Sequence, residues 1–128
     1  MDFHKAPDIQ EKLSAILRVM KFPHIDATKV ICFRSFGSSS RARARIWSFP
    51  RIWQLALRLK PHYVIEILSE RFDRLPEDDK TRVLIHELLH IPKTFSGALV
   101  PHRGRGRRID HQTVEALFQK YKSQGSKP

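Results

Sequence analysis

The stretch "LIHELLHIPKTFSGALVPH", residues 84–102, decides the prediction of the fold. It places three histidines and one glutamate in a run that is otherwise almost entirely apolar. Burying titratable groups costs free energy unless each group has a partner. The pattern therefore indicates that these four side chains serve a common purpose inside the protein.

The first part of this stretch belongs to a predicted helix over residues 76–91. The helix opens with Pro76 and three acidic residues, which suit the positive end of the helix dipole, and Pro92 ends it. Apolar residues cover most of its circumference around the polar positions, which is typical of a buried helix. We expect its polar side chains to open into an internal cleft.

Within this helix the residues His86, Glu87 and His90 form an H-E-x-x-H arrangement. Side chains four residues apart lie on one face of a helix, so both imidazoles can reach one metal ion at about 2.0–2.1 Å. Glu87 emerges about 100° round the helix, close enough to take a proton from a metal-bound water. If the histidines only formed hydrogen bonds to the backbone or to each other, Glu87 would have no explanation. The spacing therefore predicts a metal centre with Glu87 as general base.

The third ligand is not fixed by the motif. A catalytic zinc ion usually has three protein ligands and one open position. The candidates that follow the helix are His102, Asp110, His111 and Glu115. We favour His102, because Gly97 permits a tight reversal and the eleven residues 91–101 are enough to fold back over the metal.

The remaining patterns predict one α+β domain over residues 1–128, with a small mixed sheet packed against an N-terminal helix and the central helix. Helical spacing favours helices over 8–20, with Asp8 as N-cap and Glu11 completing a capping box, and over 111–122, before a frayed tail at 123–128. Strands are predicted over 29–36, 41–49 and 62–68, the second as an edge strand because of its arginines. After Pro50 a helix is favoured over a strand. We interpret Trp47 and Trp53 as core or sheet-packing residues, with base stacking as the alternative.

The net charge of +11 is unevenly distributed. No acidic residue occurs between Asp26 and Glu66, and a second basic run, "HRGRGRR", covers 102–108. Segregated positive charge favours nucleic acid or an acidic partner. The arginines expected to contact DNA, RNA or an acidic substrate are Arg41, Arg43, Arg45, Arg103, Arg105, Arg107 and Arg108.

The single cysteine, Cys32, excludes an internal disulfide and a cysteine-based zinc cluster. The charged first twenty residues do not resemble a signal peptide, and no apolar run approaches the roughly 20 residues that cross a bilayer. We therefore expect a soluble cytoplasmic protein, monomeric by default and without a membrane partner.

The run "HYVIEILSERFDRLP…VLIHELLHIPKTFSGALVPH" resembles the phage metallopeptidase family, which also occurs in archaea and has a minimal zincin fold. Its ligand spacing, with a third histidine in a glycine-containing loop, is also similar to SprT-like proteases, which act on proteins associated with DNA. The resemblance implies that His86, His90 and His102 bind one zinc ion and that Glu87 is the catalytic base. It further implies hydrolysis of a polypeptide substrate.

Two other functions compete with this interpretation. A metal-dependent nuclease would suit the basic charge, but the ribosome-maturation type resembles H-G-x-x-H and lacks the glutamate. A non-catalytic nucleic-acid-binding protein with a structural metal would need a fourth ligand, for which His111 or Asp110 is available.

Overall fold

A computed structural model of the chain describes residues 1–104 and 107–125. Over these residues the protein has the predicted α+β architecture, with a four-stranded mixed sheet and five helices. The elements are β1 (Asp2–Lys5), α1 (Pro7–Val19), a 3-10 turn (Ala27–Lys29), β2 (Val30–Phe36), β3 (Ala44–Trp47), α2 (Arg51–Leu57), β4 (Tyr63–Leu68), α3 (Ser69–Phe72), α4 (Glu77–Leu89), β5 (Arg103–Gly104), β6 (Arg107–Arg108) and α5 (His111–Gly125).

The strands of the main sheet are arranged in the order β1-β2-β4-β3. β2 and β4 form a parallel central pair, and the two outer strands run antiparallel to them. The arginine-containing strand β3 therefore lies at an edge, as predicted, but it covers only Ala44–Trp47 rather than 41–49. A hydrogen bond from the Leu68 N–H to the Arg43 carbonyl extends its pairing by one residue.

Helices α1 and α4 contribute the core together with β2 and β4. Leu13, Ile16, Ile65 and Ile85 are completely buried and belong to the same apolar cluster. Helix α5 contacts α4, adding Val114 and Phe118 to this cluster. The core thus fixes α4, the helix that carries the histidines.

The start of α1 differs from the prediction. Ala6 is the N-cap and makes no side-chain capping bond, while Pro7 occupies the first helical position. Asp8 is therefore inside the helix, and its carboxylate accepts two hydrogen bonds from Arg34 of β2. Proline favours the first turn because it has no N–H to satisfy, and this preference outweighs the capping box expected at Asp8.

Several elements at the ends of the chain and in its loops were not predicted. β1 pairs with β2 although its four residues are exposed and show no apolar alternation. Helix α3 and the short strands β5 and β6 also had no clear sequence pattern. Helix α5 continues to Gly125, three residues beyond the predicted 111–122, and residues 126–128 of the expected frayed tail lie outside the described residues.

The helix predicted after Pro50 is present as α2, but its orientation is unexpected. Gln54 is its buried residue, whereas Trp53 is 57% exposed. Trp47 is 51% exposed at the end of β3. The interpretation as a core or sheet-packing residue is therefore wrong for Trp53. Trp47 is not a core residue, but it packs on the sheet, where its Nε1–H donates to Glu66 of β4 at 2.9 Å.

None of the helices in the described part of the chain is long and apolar enough to span a bilayer.

Candidate metal centre

The last turn of α4 brings His86 and His90 to the same side of the helix. Their ring centroids lie 5.2 Å apart, and His102 approaches both, with centroid distances of 5.1 Å to His86 and 4.6 Å to His90. The Nε2 atoms of His86 and His102 are 3.1 Å apart. One ligand atom from each of the three residues lies within 4.8 Å of the others, so the group could hold a metal ion.

His102 reaches this position because the preceding loop is fastened to the end of α4. The Val100 N–H donates to the His90 carbonyl at 2.7 Å. In turn, the Val100 carbonyl accepts a hydrogen bond of 2.6 Å from Nδ1 of the His90 ring. Pro92 stops the helix, and a turn bonded from Phe95 N–H to the Pro92 carbonyl starts the return. The chain then needs only two more residues to place His102 beside His86.

The hydrogen bond at Val100 also decides which nitrogen of His90 is available. A carbonyl oxygen can only accept, so Nδ1 must carry the proton and Nε2 keeps its lone pair. In metal sites a backbone carbonyl commonly orients a ligating imidazole in this way. His90 is therefore held in the tautomer that a metal ligand requires.

The surroundings of His86 and His90 favour the neutral forms of these two imidazoles. Burial, together with the neighbouring His90 and His102, lowers the pKa of His86 to about 4. Burial also lowers the pKa of His90, with His102 acting in the same direction. Since a histidine binds metal only in its neutral form, the site is prepared to accept a cation near neutral pH. Imidazole nitrogens of this kind fit a divalent transition metal.

A network of polar groups supports the loop between His90 and His102. The Tyr63 hydroxyl donates to the Ala98 carbonyl and accepts from the Gly97 N–H, each at 2.8 Å. Gln54 of α2 donates through Nε2 to the carbonyls of Phe49 and Ser96. Gly97 has a φ of +93°, which other residues rarely adopt. The loop is thus fixed by contacts with both β4 and α2.

The other candidates for the third ligand have different contacts. Asp110 accepts hydrogen bonds from the backbone and hydroxyl of Thr113 at the start of α5. Glu115 accepts from Arg82, and His111 is exposed. Within the described residues, no fourth His, Cys, Asp or Glu side chain joins the group formed by His86, His90 and His102. Among the described residues, His86, His90 and His102 are therefore the ones that would hold a metal ion.

Glu87 is the acidic residue nearest this group in sequence, and it is 7% exposed. Burial raises its pKa to about 8, against the opposing effect of a hydrogen bond from the Ile46 backbone. A carboxylate in such surroundings needs a nearby cation to remain ionised at neutral pH. A metal ion held by the adjacent imidazoles would provide that charge.

A cleft of about 440 Å³ lies between β3 and α4 and extends towards α5. Its walls include Ala42, Arg43, His86, Glu87 and His111. In the part of the chain that the structure describes, β3 pairs with β4 on one side only, and the backbone of Ile46 on its other side bonds to Glu87. The cleft thus borders the edge of β3 on one side and His86 of the candidate metal centre on the other.

The predicted basic contacts divide into two groups. Arg41 and Arg43 are exposed before and beside β3, whereas Arg45 forms an ion pair of 2.9 Å with the buried Glu66. Arg105 and the side chains of Arg103, Arg107 and Arg108 lie outside the described residues.

Sequence reasoning missed the backbone groups at this site. The Val100 carbonyl and the Ile46 N–H orient His90 and Glu87, and backbone groups leave no residue-specific signal. Tyr63 and Gln54 were also not anticipated. Only Gly97 gave a usable indication, because a glycine between two prolines marks a tight reversal.

Comparison with known proteins agrees with the geometry. The family described as "Putative phage metallopeptidase" matches residues 1–122. No curated protein and no solved structure shows a significant match to the chain. Since the match covers nearly the whole chain, the protein belongs to the phage metallopeptidase family.

Proposed function

We propose that the protein is a zinc-dependent peptidase, in which His86, His90 and His102 hold the ion and Glu87 is the general base. The main observation is the position of Glu87. Its carboxylate accepts a hydrogen bond from the unpaired edge of β3, while its helical neighbours His86 and His90 belong to the imidazole group. A base, one of the candidate metal ligands and a sheet edge that can pair with a peptide therefore line one cleft.

The donor set supports zinc as the metal. Imidazole nitrogens suit zinc, and catalytic zinc sites typically have three protein ligands and an open fourth position. A structural zinc site would be closed by a fourth side chain, and none joins the group in the described part of the chain. This difference favours the catalytic interpretation over a purely structural metal.

The proposed mechanism assigns Glu87 the proton transfers. A bound zinc ion supplies Lewis acidity, which acidifies water and polarises a carbonyl group. Glu87 accepts the proton of the attacking water and delivers it to the departing amine. The Ile46 N–H orients the carboxylate, and the Val100 carbonyl keeps the His90 ring in position during these steps.

The substrate is proposed to bind as an additional strand along β3. In an antiparallel ladder alternate residues direct their backbone groups away from the partner strand. Because the Arg43 carbonyl bonds to Leu68, the groups of Ala44 and Ile46 face away from β4 and towards the cleft. An extended peptide could bond to Ala44 there, which would place a scissile bond near Glu87.

The decisive experiment measures zinc content and cleavage of a fluorescently labelled unfolded casein. We expect about one zinc ion per chain in the wild type, and its loss in His86→Ala and His102→Ala. Glu87→Gln should keep the ion but lose cleavage by about 10²–10⁴-fold. His111→Ala is the matched control, because it removes an imidazole from the same cleft outside the group of three.

Other outcomes would identify the competing functions. Zinc binding without cleavage of any polypeptide, together with hydrolysis of RNA or DNA, would replace the peptidase by a nuclease. Loss of zinc in His111→Ala, with no hydrolysis by the wild type, would indicate a closed structural site. A wild type that neither contains nor takes up metal would refute the proposal.

We also propose that the exposed Arg41 and Arg43 attract an acidic substrate or nucleic acid to the mouth of the cleft. They stand in a segment without acidic residues, and Arg43 lines the cleft itself. Each phosphate contact adds to the salt dependence of binding. Arg41→Gln/Arg43→Gln should therefore weaken binding of a single-stranded DNA and reduce its salt slope by about 1.4 units, because each contact with a single strand contributes about 0.7. An unchanged slope would exclude these two arginines.

A further inference from the structure

In α2 and the turn after it, a polar side chain is buried and the apolar side chains are exposed, which is the reverse of an ordinary amphipathic helix. Among residues 51–60 the one buried residue is the polar Gln54. The large apolar side chains point outwards and are about half or more exposed: Ile52 70%, Trp53 57%, Leu55 60%, Leu57 53% and Leu59 49%. We call these five residues the apolar ridge. Soluble monomers rarely expose an apolar cluster of this size without a partner for it.

This orientation is imposed by the fold. Gln54 fixes the helix by donating to the carbonyls of Phe49 and Ser96. On the same side, a Cβ atom added to Gly97 would lie 2.5 Å from the Gln54 amide nitrogen, so no larger side chain fits between them. Turning α2 over to bury the ridge would break both hydrogen bonds and leave the two carbonyls without these partners. The hydrogen bonds of Gln54 therefore keep the ridge facing outwards.

The charged residues of the segment 51–60 are all positive. Arg51, Arg58 and Lys60 flank it and are exposed, and none of them forms an ion pair within the described part of the chain. The nearest acidic residues in sequence are Asp26 and Glu66. Whatever covers the ridge must accordingly be apolar at its centre and negatively charged around it.

We propose that residues 51–60 bind the surface of an anionic lipid bilayer, with the apolar ridge below the headgroups and Arg51, Arg58 and Lys60 among the lipid phosphates. Apolar side chains including a tryptophan, flanked by basic residues, are the combination that binds anionic membrane interfaces. The ridge is an exposed surface formed by α2 and by the turn after it, which carries Leu59. A bilayer can adapt to such a surface without a preformed groove.

Three other partners fit the ridge less well. A second copy of the chain meeting ridge to ridge would bring the two sets of basic residues together. Nucleic acid would use the charges and Trp53, but the four aliphatic side chains offer no ring for base stacking. A protein partner would need both an apolar groove and an acidic rim. The expectation of no membrane partner rested on the absence of a spanning segment, and binding at the interface needs none.

The test uses Trp53 as its reporter. The chain has two tryptophans, so Trp47→Phe leaves Trp53 alone in α2. Vesicles of phosphatidylcholine and phosphatidylglycerol should shift its emission to shorter wavelength, protect it from iodide, and pellet with the protein. Vesicles of phosphatidylcholine alone should bind at least about tenfold more weakly, and added salt should weaken anionic binding.

A second variant removes the ridge without disturbing the core. Leu55→Ser/Leu57→Ser should lower vesicle affinity about tenfold or more, because two half-exposed leucines lose their burial in lipid. Phe3→Ser is the matched control: Phe3 is 51% exposed but lies on β1, the opposite edge strand of the sheet, and its loss should leave binding unchanged.

Failure to bind either kind of vesicle would overturn the proposal, as would equal, salt-independent binding to both. Dimerisation that Leu55→Ser/Leu57→Ser abolishes, without vesicle binding, would assign the ridge to a second copy. A shift of Trp53 emission with single-stranded DNA, again without vesicle binding, would assign it to nucleic acid. None of these results depends on the proposed peptidase activity, since no residue of the ridge lines the cleft.

Discussion

Tyr63 holds the loop that leads from His90 to His102 through its hydroxyl group. The hydroxyl donates to the Ala98 carbonyl and accepts from the Gly97 N–H, and its ring packs edge-on against Phe95. Among the described residues, Tyr63 has the largest of the fully buried side chains by volume, and it is 1% exposed. One buried residue of β4 therefore fixes three positions of the loop.

We expect Tyr63→Phe to keep the ring but free the buried Gly97 N–H. The unfolding free energy should fall by about 1–3 kcal/mol, because an unpaired buried donor loses its hydrogen bond without regaining water. Zinc affinity should fall about tenfold if the loop positions His102, as supporting hydrogen bonds do in other metal sites. Urea denaturation in chelator and zinc titration measure the two effects separately.

Tyr121→Phe is the control for this prediction, since it removes a hydroxyl from α5 rather than from the loop network. It should change neither quantity appreciably. Wild-type zinc affinity in Tyr63→Phe would show that His102 is positioned independently of this hydroxyl.

Glu66 is a buried carboxylate that joins three strands. It accepts hydrogen bonds from Ser35 of β2 and from Arg45 and Trp47 of β3. Burial alone would raise its pKa, but the bonds from Arg45, Ser35 and Trp47 together outweigh burial and hold the pKa below 4.5. Glu66 thereby stabilises the edge strand that borders the cleft.

Glu66→Gln should lower the unfolding free energy by about 2 kcal/mol at neutral pH, since an amide cannot accept from all three donors with full charge. The folded-state pKa of Glu66 lies below its unfolded value. Its stabilising contribution is therefore complete above about pH 4.5 and is lost as the pH falls through the folded pKa. The difference between variant and wild type should accordingly shrink in acid. Urea titrations at neutral pH and at about pH 3 test this, and a constant difference would contradict it.

At the scale of elements, the loop and α2 are packed against each other at Gly97. A Cβ atom built there would lie 2.3 Å from the Phe49 carbonyl oxygen and 2.5 Å from the Gln54 amide nitrogen. The Phe49 N–H in turn donates to the Gly97 carbonyl at 2.8 Å. The position therefore requires glycine both for its backbone conformation and for space.

Gly97→Ala should lower the unfolding free energy by at least about 3 kcal/mol, because backbone strain and overpacking add. Gly37→Ala is a suitable control: Gly37 has a similar φ of +88°, but its added Cβ would come no closer than 3.8 Å to the Met1 Cα. That variant should cost only about 1–2 kcal/mol for the backbone conformation. Equal losses of unfolding free energy in the two variants, measured by urea denaturation, would show that the loop shifts to accommodate a Cβ atom at Gly97.

The elements that the sequence predicts well are those whose side chains show a clear period. Helices α1, α4 and α5 and strands β2 and β4 have such patterns. β1 pairs with β2 although its four side chains are exposed, and the orientation of α2 depends on a hydrogen bond from Gln54 to Ser96, 42 residues away. No local pattern carries such information.

The residues of the candidate site likewise differ in how far the sequence alone predicts them. The H-E-x-x-H spacing is local, so His86, Glu87 and His90 could be selected from the sequence. The third position was a choice among four residues, and only the fold shows that His102 approaches the other two histidines. The carbonyl of Val100 and the N–H of Ile46 could not be chosen at all, because every residue has such groups.

At the scale of the whole molecule, ion pairs join elements that are distant in sequence. Arg34 of β2 contacts Asp8 of α1 and Asp73 after α3, and Arg82 of α4 contacts Glu115 of α5. The Arg34 guanidinium holds the pKa of Asp8 below its usual value, and the Arg82 guanidinium does the same for Glu115. Acid should therefore loosen contacts between elements as well as within them.

Stability at high pH should depend on Cys32. Burial raises the pKa of this thiol to about 12 from an ordinary 9.0. The folded thiol thus stays neutral while the unfolded thiol ionises above about pH 9, so its contribution is complete below pH 9 and is lost as the pH rises towards 12. The loss approaches about 1.4 kcal/mol per pH unit.

Cys32→Ala removes this ionisation at the cost of a small cavity. The variant should be less stable than the wild type at about pH 8, and the difference should narrow by about 1 kcal/mol at about pH 10. Burial also raises the pKa of Tyr63, but both proteins keep that residue and its effect cancels. Urea denaturation under reducing conditions at the two pH values measures the difference. Parallel losses in the two proteins would mean that the folded thiol ionises as readily as the unfolded one, and that the packing of β2 against α1 admits water.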